Sequence, residues 1–214
     1  MLNKKALEKI TDILEEKYYG AFCALNFRSP FELLVATILS AQCTDKRVNI
    51  ITEELFKKYN TPEQFAALEP TELEPLIKSA GVYKNKALAI VMASRRLVEH
   101  YDSQVPDDLD ELMTLRGVGR KTANVVISNA FGGDAIAVDT HVFRVSNRIG
   151  LADAKNPYDT EMQLMEALPK DSWSKFHHYL IWHGRNVCKA QSPKCDICEI
   201  STWCKYYNEN IKDR

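Results

Sequence analysis

Two stretches of the chain hold residues whose types and spacing can do chemistry. The first is LRGVGRKTANVV, residues 115–126, where Gly117 and Gly119 stand before Arg120, Lys121 and Thr122. The second is CKAQSPKCDICEISTWC, residues 188–204, which spaces Cys188, Cys195, Cys198 and Cys204 as Cys-x6-Cys-x2-Cys-x5-Cys. Gly-x-Gly before a basic pair suggests a nucleotide phosphate loop, which requires glycine, four residues, then Gly-Lys-Ser/Thr. Here Arg120 follows Gly119, Thr114 occupies the earlier glycine position, and no convincing strand precedes the segment. The phosphate-loop reading fails.

The alternative is a hairpin of two helices. Leu112 and Leu115 lie on the first, Gly117-Val118-Gly119 turns the chain, and Ala123, Val126, Ile127 and Ala130 form an apolar stripe on the second. Glycines let the backbone approach a ligand closely, and the free amides at a helix start favour an anion. A DNA phosphate is the natural ligand, held at Gly117, Val118, Gly119 and Arg120 without regard to base sequence. The competing reading is an ordinary helical hairpin with a glycine turn.

Lys121 breaks a local rule. A lysine in a helix's first turn meets the positive end of the dipole, here beside the basic Arg120, and both influences favour the uncharged amine. An uncharged lysine can form a Schiff base with a carbonyl-like carbon. A plain phosphate anchor is the alternative, and the residues alone leave the two balanced. Asp139, in DTHVFRV, is placed to cap a helix running to about Gly150. A carboxylate held by amides can also stabilise developing positive charge on a sugar or orient water. His141 is close by and receives no chemical role.

The four clustered cysteines can bind zinc tetrahedrally or an iron–sulfur cluster. Zinc ribbons tend to use two Cys-x-x-Cys knuckles, and only Cys195 and Cys198 form one. Trp203, Pro193 and Ile197 are placed to shield the site. Lys189 and Lys194 lie between the ligands, where a loop can present them to phosphate. Without a secretion signal, such a cluster indicates metal before disulfides.

The elements that must position these residues are helices. The chain has 214 residues, 45% apolar and 27% charged, the balance of an ordinary globular protein. LLVATILSA is too short to span a bilayer, and the charged amphipathic N-terminus lacks signal-peptide features, which predicts a cytoplasmic protein. The net charge of −1 does not suggest a nucleic-acid binder, but residues 112–150 carry five basic side chains against two acidic ones, a local net of +3. Ser29-Pro30-Phe31-Glu32 and Thr61-Pro62-Glu63-Gln64 are predicted capping boxes. Asp45 is predicted to cap a helix reaching about Lys58. Further helices fit 84–100, 107–114, 119–131, 140–149, 158–168 and 172–184, and AIAV (135–138) is the one short strand candidate. A weak repeat lays LIKSAGVYKNKALAIV (76–91) on LMTLRGVGRKTANVVI (112–127), matching Gly81 to Gly117 and Val82 to Val118. A boundary is expected near Gly132-Gly133.

Together these features resemble the endonuclease III family of DNA glycosylases. LLVATILSAQCTD, LMTLRGVGRKTA, AVDTHVFRVSNR, HGRNVC and the cysteine spacing carry the likeness, which runs over nearly the whole chain. The resemblance implies an all-α fold of two helical domains flanking a DNA-binding cleft: a six-helix barrel at 22–132 with its hairpin at about 112–131, and a domain joining 1–21 to 133–214. It implies a [4Fe–4S] cluster on Cys188, Cys195, Cys198 and Cys204. It further implies a monomeric base excision repair enzyme, nucleoid-associated if bacterial, acting on duplex DNA that contains damaged pyrimidines or abasic sites. The family removes oxidised pyrimidines and nicks the strand by β-elimination, with Lys121 matching its Schiff-base nucleophile and Asp139 its catalytic carboxylate. Gln42 matches the glutamine that fills the hole left by the flipped base. Val82 falls where the family often has a leucine wedge. An adenine-mismatch glycosylase of the same superfamily and a non-catalytic DNA-binding protein with structural zinc are the competing readings.

Overall fold

The structure is a computed structural model and describes residues 2–212. Its helices are α1 Lys4–Tyr18, α2 Pro30–Leu39, α3 Asp45–Leu55, α4 Pro62–Ala66, α5 Pro70–Ile77, α6 Tyr83–His100, α7 Leu109–Met113, α8 Arg120–Ala130, α9 Thr140–Ile149, α10 Pro157–Ala167, α11 Trp173–Asn186 and α12 Lys205–Asn210, with a few single 3-10 turns between them. The all-α expectation holds, and no strand occurs among the described residues. The AIAV strand candidate is instead an irregular segment whose four side chains, Ala135 to Val138, are all buried. Its apolarity reflects burial rather than pairing with a neighbour. No helix of the described residues is long and apolar enough to cross a membrane.

The chain forms two compact units, one of residues 23–133 and one of 1–22 with 134–214. In the 23–133 unit, α2 is the central element. Every residue from Phe31 to Leu39 is buried, so the helix is covered on all sides, with α8, α6 and α3 against it. Its start follows the sequence only in part. Ser29 caps the Glu32 amide at 3.2 Å, but the Glu32 carboxylate accepts from the Arg28 amide at 2.6 Å rather than from Ser29, one residue earlier than a capping box requires. The Thr61–Gln64 box closes as expected. Helix α3 is capped by Thr44, whose hydroxyl accepts from Arg47, and Asp45 is its first residue; the helix stops at Leu55, short of Lys58.

In the other unit, α11 packs on α9 and α1 around Ile10, Leu14, Val142, Val145, Phe176 and Leu180. The cysteine segment links α11 to α12 with nothing longer than a 3-10 turn.

The weak repeat corresponds to two helical hairpins, α5–α6 and α7–α8. Gly81 and Gly117 share positive φ, 71° and 81°. The following valines part company. Val118 is 6% exposed and Val82 is 53% exposed.

Candidate active site

The α7–α8 turn is built on Gly117. Its φ lies in the region that glycine tolerates best, and a Cβ there would sit 2.6 Å from the Ala89 Cβ. Val118 then turns inward. Its side chain joins the core and its amide donates to Leu115 O at 3.1 Å. Val118 therefore anchors the turn, and both its side chain and its N–H are engaged by the protein. Gly119 caps α8 with no side chain to offer, and no acidic residue follows in the first turn. A Cβ at Gly119 would meet no heavy atom within 4 Å. The start of α8 thus has no side-chain cap, and a side chain added at Gly119 would enter open space, features that suit an anion site. Arg120 is half-buried and Lys121, the second helical residue, is exposed.

Asp139 caps α9. Its Oδ1 accepts from the amides of His141 and Val142, both at 2.8 Å, and Oδ2 takes no part in the cap. The cap fixes the carboxylate's orientation while one oxygen remains for chemistry. His141 beside it accepts from Arg144 Nη2 at Nδ1, 3.1 Å. Burial pushes the imidazole below its ordinary value, the Asp139 charge acts the other way, and Arg144 and Arg185 add to the lowering. It is a half-buried histidine engaged by Arg144.

The four clustered cysteines line one pocket together with Arg148, Ile149, His183 and Val187. Of the three expected shields only Pro193 lines it; Ile197 is 59% exposed, and Tyr206 and Tyr207 take the covering role. None of the six cysteines forms a disulfide. Burial raises the thiols of Cys195 and Cys198, and raises Cys204 to about 11, and a bound cationic metal would favour their thiolates. No three His, Cys, Asp or Glu side chains among the described residues are grouped to hold a single metal ion, and four cysteines around one pocket would suit a multi-iron cluster.

The segment is held by arginines from α9. Arg144 donates to Cys188 O from both Nε and Nη2 and to Gly184 O. Arg148 donates to Lys189 O at 2.6 Å and Ala190 O at 2.9 Å, and stacks over Tyr206 at 4.9 Å. Two of the five bases counted in residues 112–150 are therefore structural. His183, buried, lies 3.7 Å from Cys198 Sγ through Nε2 and 3.1 Å from the Tyr18 hydroxyl through Nδ1. Lys189 and Lys194 are exposed.

Gln42 and Val82 are exposed, and both have positive φ, 54° and 49°. A β-branched residue in left-handed backbone is strained, which is common at functional sites.

Residues 35–170 match the HhH-GPD superfamily base excision DNA repair proteins, and residues 188–204 match the iron-sulfur binding domain of endonuclease III. Endonuclease III of Bacillus subtilis is 50% identical over 206 residues, covering 96% of this chain and 94% of that protein. The chain belongs to the endonuclease III family. Endonuclease III of Escherichia coli is 44% identical over 206 residues, covering 96% and 97% of the two chains. Among solved structures, a trapped endonuclease III–DNA covalent intermediate in an estranged-adenine complex matches with a TM-score of 0.94 at 47% identity, covering 100% of both chains. A non-covalent endonuclease III–DNA complex matches with a TM-score of 0.93 at 47% identity, covering 99% of this chain and 100% of that one.

As an endonuclease III family member, the chain is a base excision repair DNA glycosylase and AP lyase with a [4Fe–4S] cluster. The residues missed from sequence are those that brace the site: Arg144, Arg148 and His183 around the cysteines, and Lys86 behind Gln42 and Val82. HGRNVC held a clue, since a histidine five residues before a ligand lies one helical turn and a loop away from it.

Proposed function

We propose that this enzyme removes oxidised pyrimidines from duplex DNA and cuts 3′ to the resulting abasic site. The Lys121 amine attacks the sugar's anomeric carbon, and the bond to the damaged base breaks with its electrons leaving on the base. Loss of a proton from the nitrogen and cleavage of the C1′–O4′ bond, with a proton delivered to O4′, then open the sugar to an iminium, which acidifies the proton at the neighbouring sugar position. Loss of that proton expels the 3′ phosphate, and hydrolysis of the imine frees Lys121. Asp139 Oδ2 stabilises the cationic sugar and assists proton transfer. Phosphate is gripped by the amides of Gly119, Arg120 and Lys121, with Gly117 and Val118 shaping the turn. Gln42 and Val82 occupy the space left by the flipped nucleotide.

Cys188, Cys195, Cys198 and Cys204 hold the cluster. When bound, it supplies iron–thiolate bonds that order the loop carrying Lys189 and Lys194 toward phosphate. We place the protein in the cytoplasm, where a bacterial enzyme of this family meets its DNA, and read it as a monomer.

The observation that carries this reading is an exposed lysine in an uncapped first turn, in a chain whose solved relative was captured covalently on DNA. Borohydride trapping on abasic duplex tests it. Wild type is expected to give a covalent adduct and Lys121→Gln none; an equal yield from Lys121→Gln would sink the mechanism.

A further inference from the structure

Lys86 is 5% exposed, a rare placement for lysine, and no carboxylate among the described residues pairs with it. Its Nζ donates to Leu39 O and to Ala80 O, both at 2.8 Å. Leu39 is the last residue of α2, three before Gln42, and its carbonyl lies at the C-terminal end of that helix, where a cation is favoured. Ala80 stands two before Val82, and the Lys86 amide also donates to Val82 O at 3.2 Å. Through its side chain Lys86 thus ties the end of α2, which leads to Gln42, to Ala80, which leads into the Gly81–Val82 turn.

Strained backbone persists only where its surroundings over-determine it. Gln42 and Val82 are both exposed at positive φ, and neither side chain is packed in the core. The restraint must come from behind. Burial pushes the Lys86 amine below its ordinary value, and the nearby Cys43 acts the other way. A group kept there against that penalty is held by its two carbonyls.

We propose that Lys86 is a positioning residue for strand insertion, fixing the spacing of Gln42 and Val82 so that both enter the duplex as one wedge. This rests on the reading of Gln42 and Val82 as gap-filling residues. A mere fold-stabilising lysine would affect every substrate alike. A wedge-positioning lysine matters only where a base must be pushed out of a paired stack.

The experiment compares excision of one oxidised pyrimidine from a fully paired duplex and from an unpaired bubble. Lys86→Met, which removes the donors and keeps the stem, is expected to lower excision from the paired duplex roughly tenfold and from the bubble by less than about twofold. In a Gln42→Ala, Val82→Ala background, adding Lys86→Met is expected to cost little more, because the residues act as a unit. Equal losses on both substrates, or none on either, would overturn the proposal. The Gln42→Ala and Val82→Ala variants separate the two layers of the argument. If they show no preference for the paired substrate, the gap-filling reading fails. If they show it and Lys86→Met does not, the positioning role fails alone. Lys86→Gln retains one donor amide and takes the place of Lys86→Met if that variant does not fold. Two variants that both fail to fold would make Lys86 a residue of the fold only and would overturn the proposal too.

Discussion

Gly117 and Gly119 stand two apart in one motif and answer to different demands. Gly117 has φ 81° and a Cβ there would lie 2.6 Å from the Ala89 Cβ, so the fold requires it. Gly117→Ala combines backbone strain with a core clash and is expected to destabilise by about 2–4 kcal/mol, measured by denaturant unfolding. Gly119 has φ −94°, and a Cβ there would meet nothing within 4 Å. Gly119→Ala is expected to change stability by less than about 1 kcal/mol. It should nevertheless weaken DNA binding, because the methyl group enters the space in front of the first-turn amides. Titration of labelled duplex checks this, and wild-type affinity would remove those amides from the phosphate site. Neither difference is visible in the letters G-V-G. The sequence marks a glycine turn, but which glycine serves packing and which leaves room depends on where α6 lies behind the turn. The same holds for the valine between them, which the motif leaves ambiguous and the core claims.

At the scale of elements, helix starts were legible because capping is local. Thr61 and Gln64 are three residues apart and find each other within one turn. The Ser29 cap was equally plain, and only the partner of Glu32 moved, by one residue. What stayed hidden are braces spanning long separations. Lys86 reaches Leu39 across 47 positions and Arg148 reaches Lys189 across 41. No periodicity encodes such contacts, since they exist only once the helices have packed. The cysteine spacing announced a metal loop, but a segment without a regular helix cannot hold its own shape, and the donors that shape it come from α9. Arg148 donates to two loop carbonyls and lies 3.7 Å from Cys188 Sγ. Arg148→Ala is accordingly expected to speed loss of the cluster's visible absorbance in chelator on the order of tenfold. Arg148→Lys, with one compact charge and no fork, should rescue only part of this. A decay as slow as wild type would mean that the iron–thiolate bonds hold the loop unaided.

For the whole molecule, a net charge of −1 and a pI near 6.5 look ill-suited to a polyanion. The apparent basic excess of residues 112–150 does not fully repair this, because Arg144 and Arg148 direct their donors to backbone carbonyls. On the proposed reading, affinity comes from few, well-placed contacts: the first-turn amides of α8, the exposed Lys121, and the loop lysines Lys189 and Lys194. Each lysine that neutralises a phosphate releases condensed counterions, so binding to undamaged duplex should weaken with salt along a shallow slope. Lys189→Ala and Lys194→Ala are each expected to reduce that slope by about 1 and to weaken damaged and undamaged duplex alike, because a phosphate contact carries no information about the lesion. Anisotropy titrations across a salt series on both duplexes check this. Unchanged slopes would take the loop off the DNA and leave the cluster bracing the fold alone. A reduced slope joined to a lesion-selective loss would mean instead that the loop senses the flipped nucleotide, which phosphate contact cannot do.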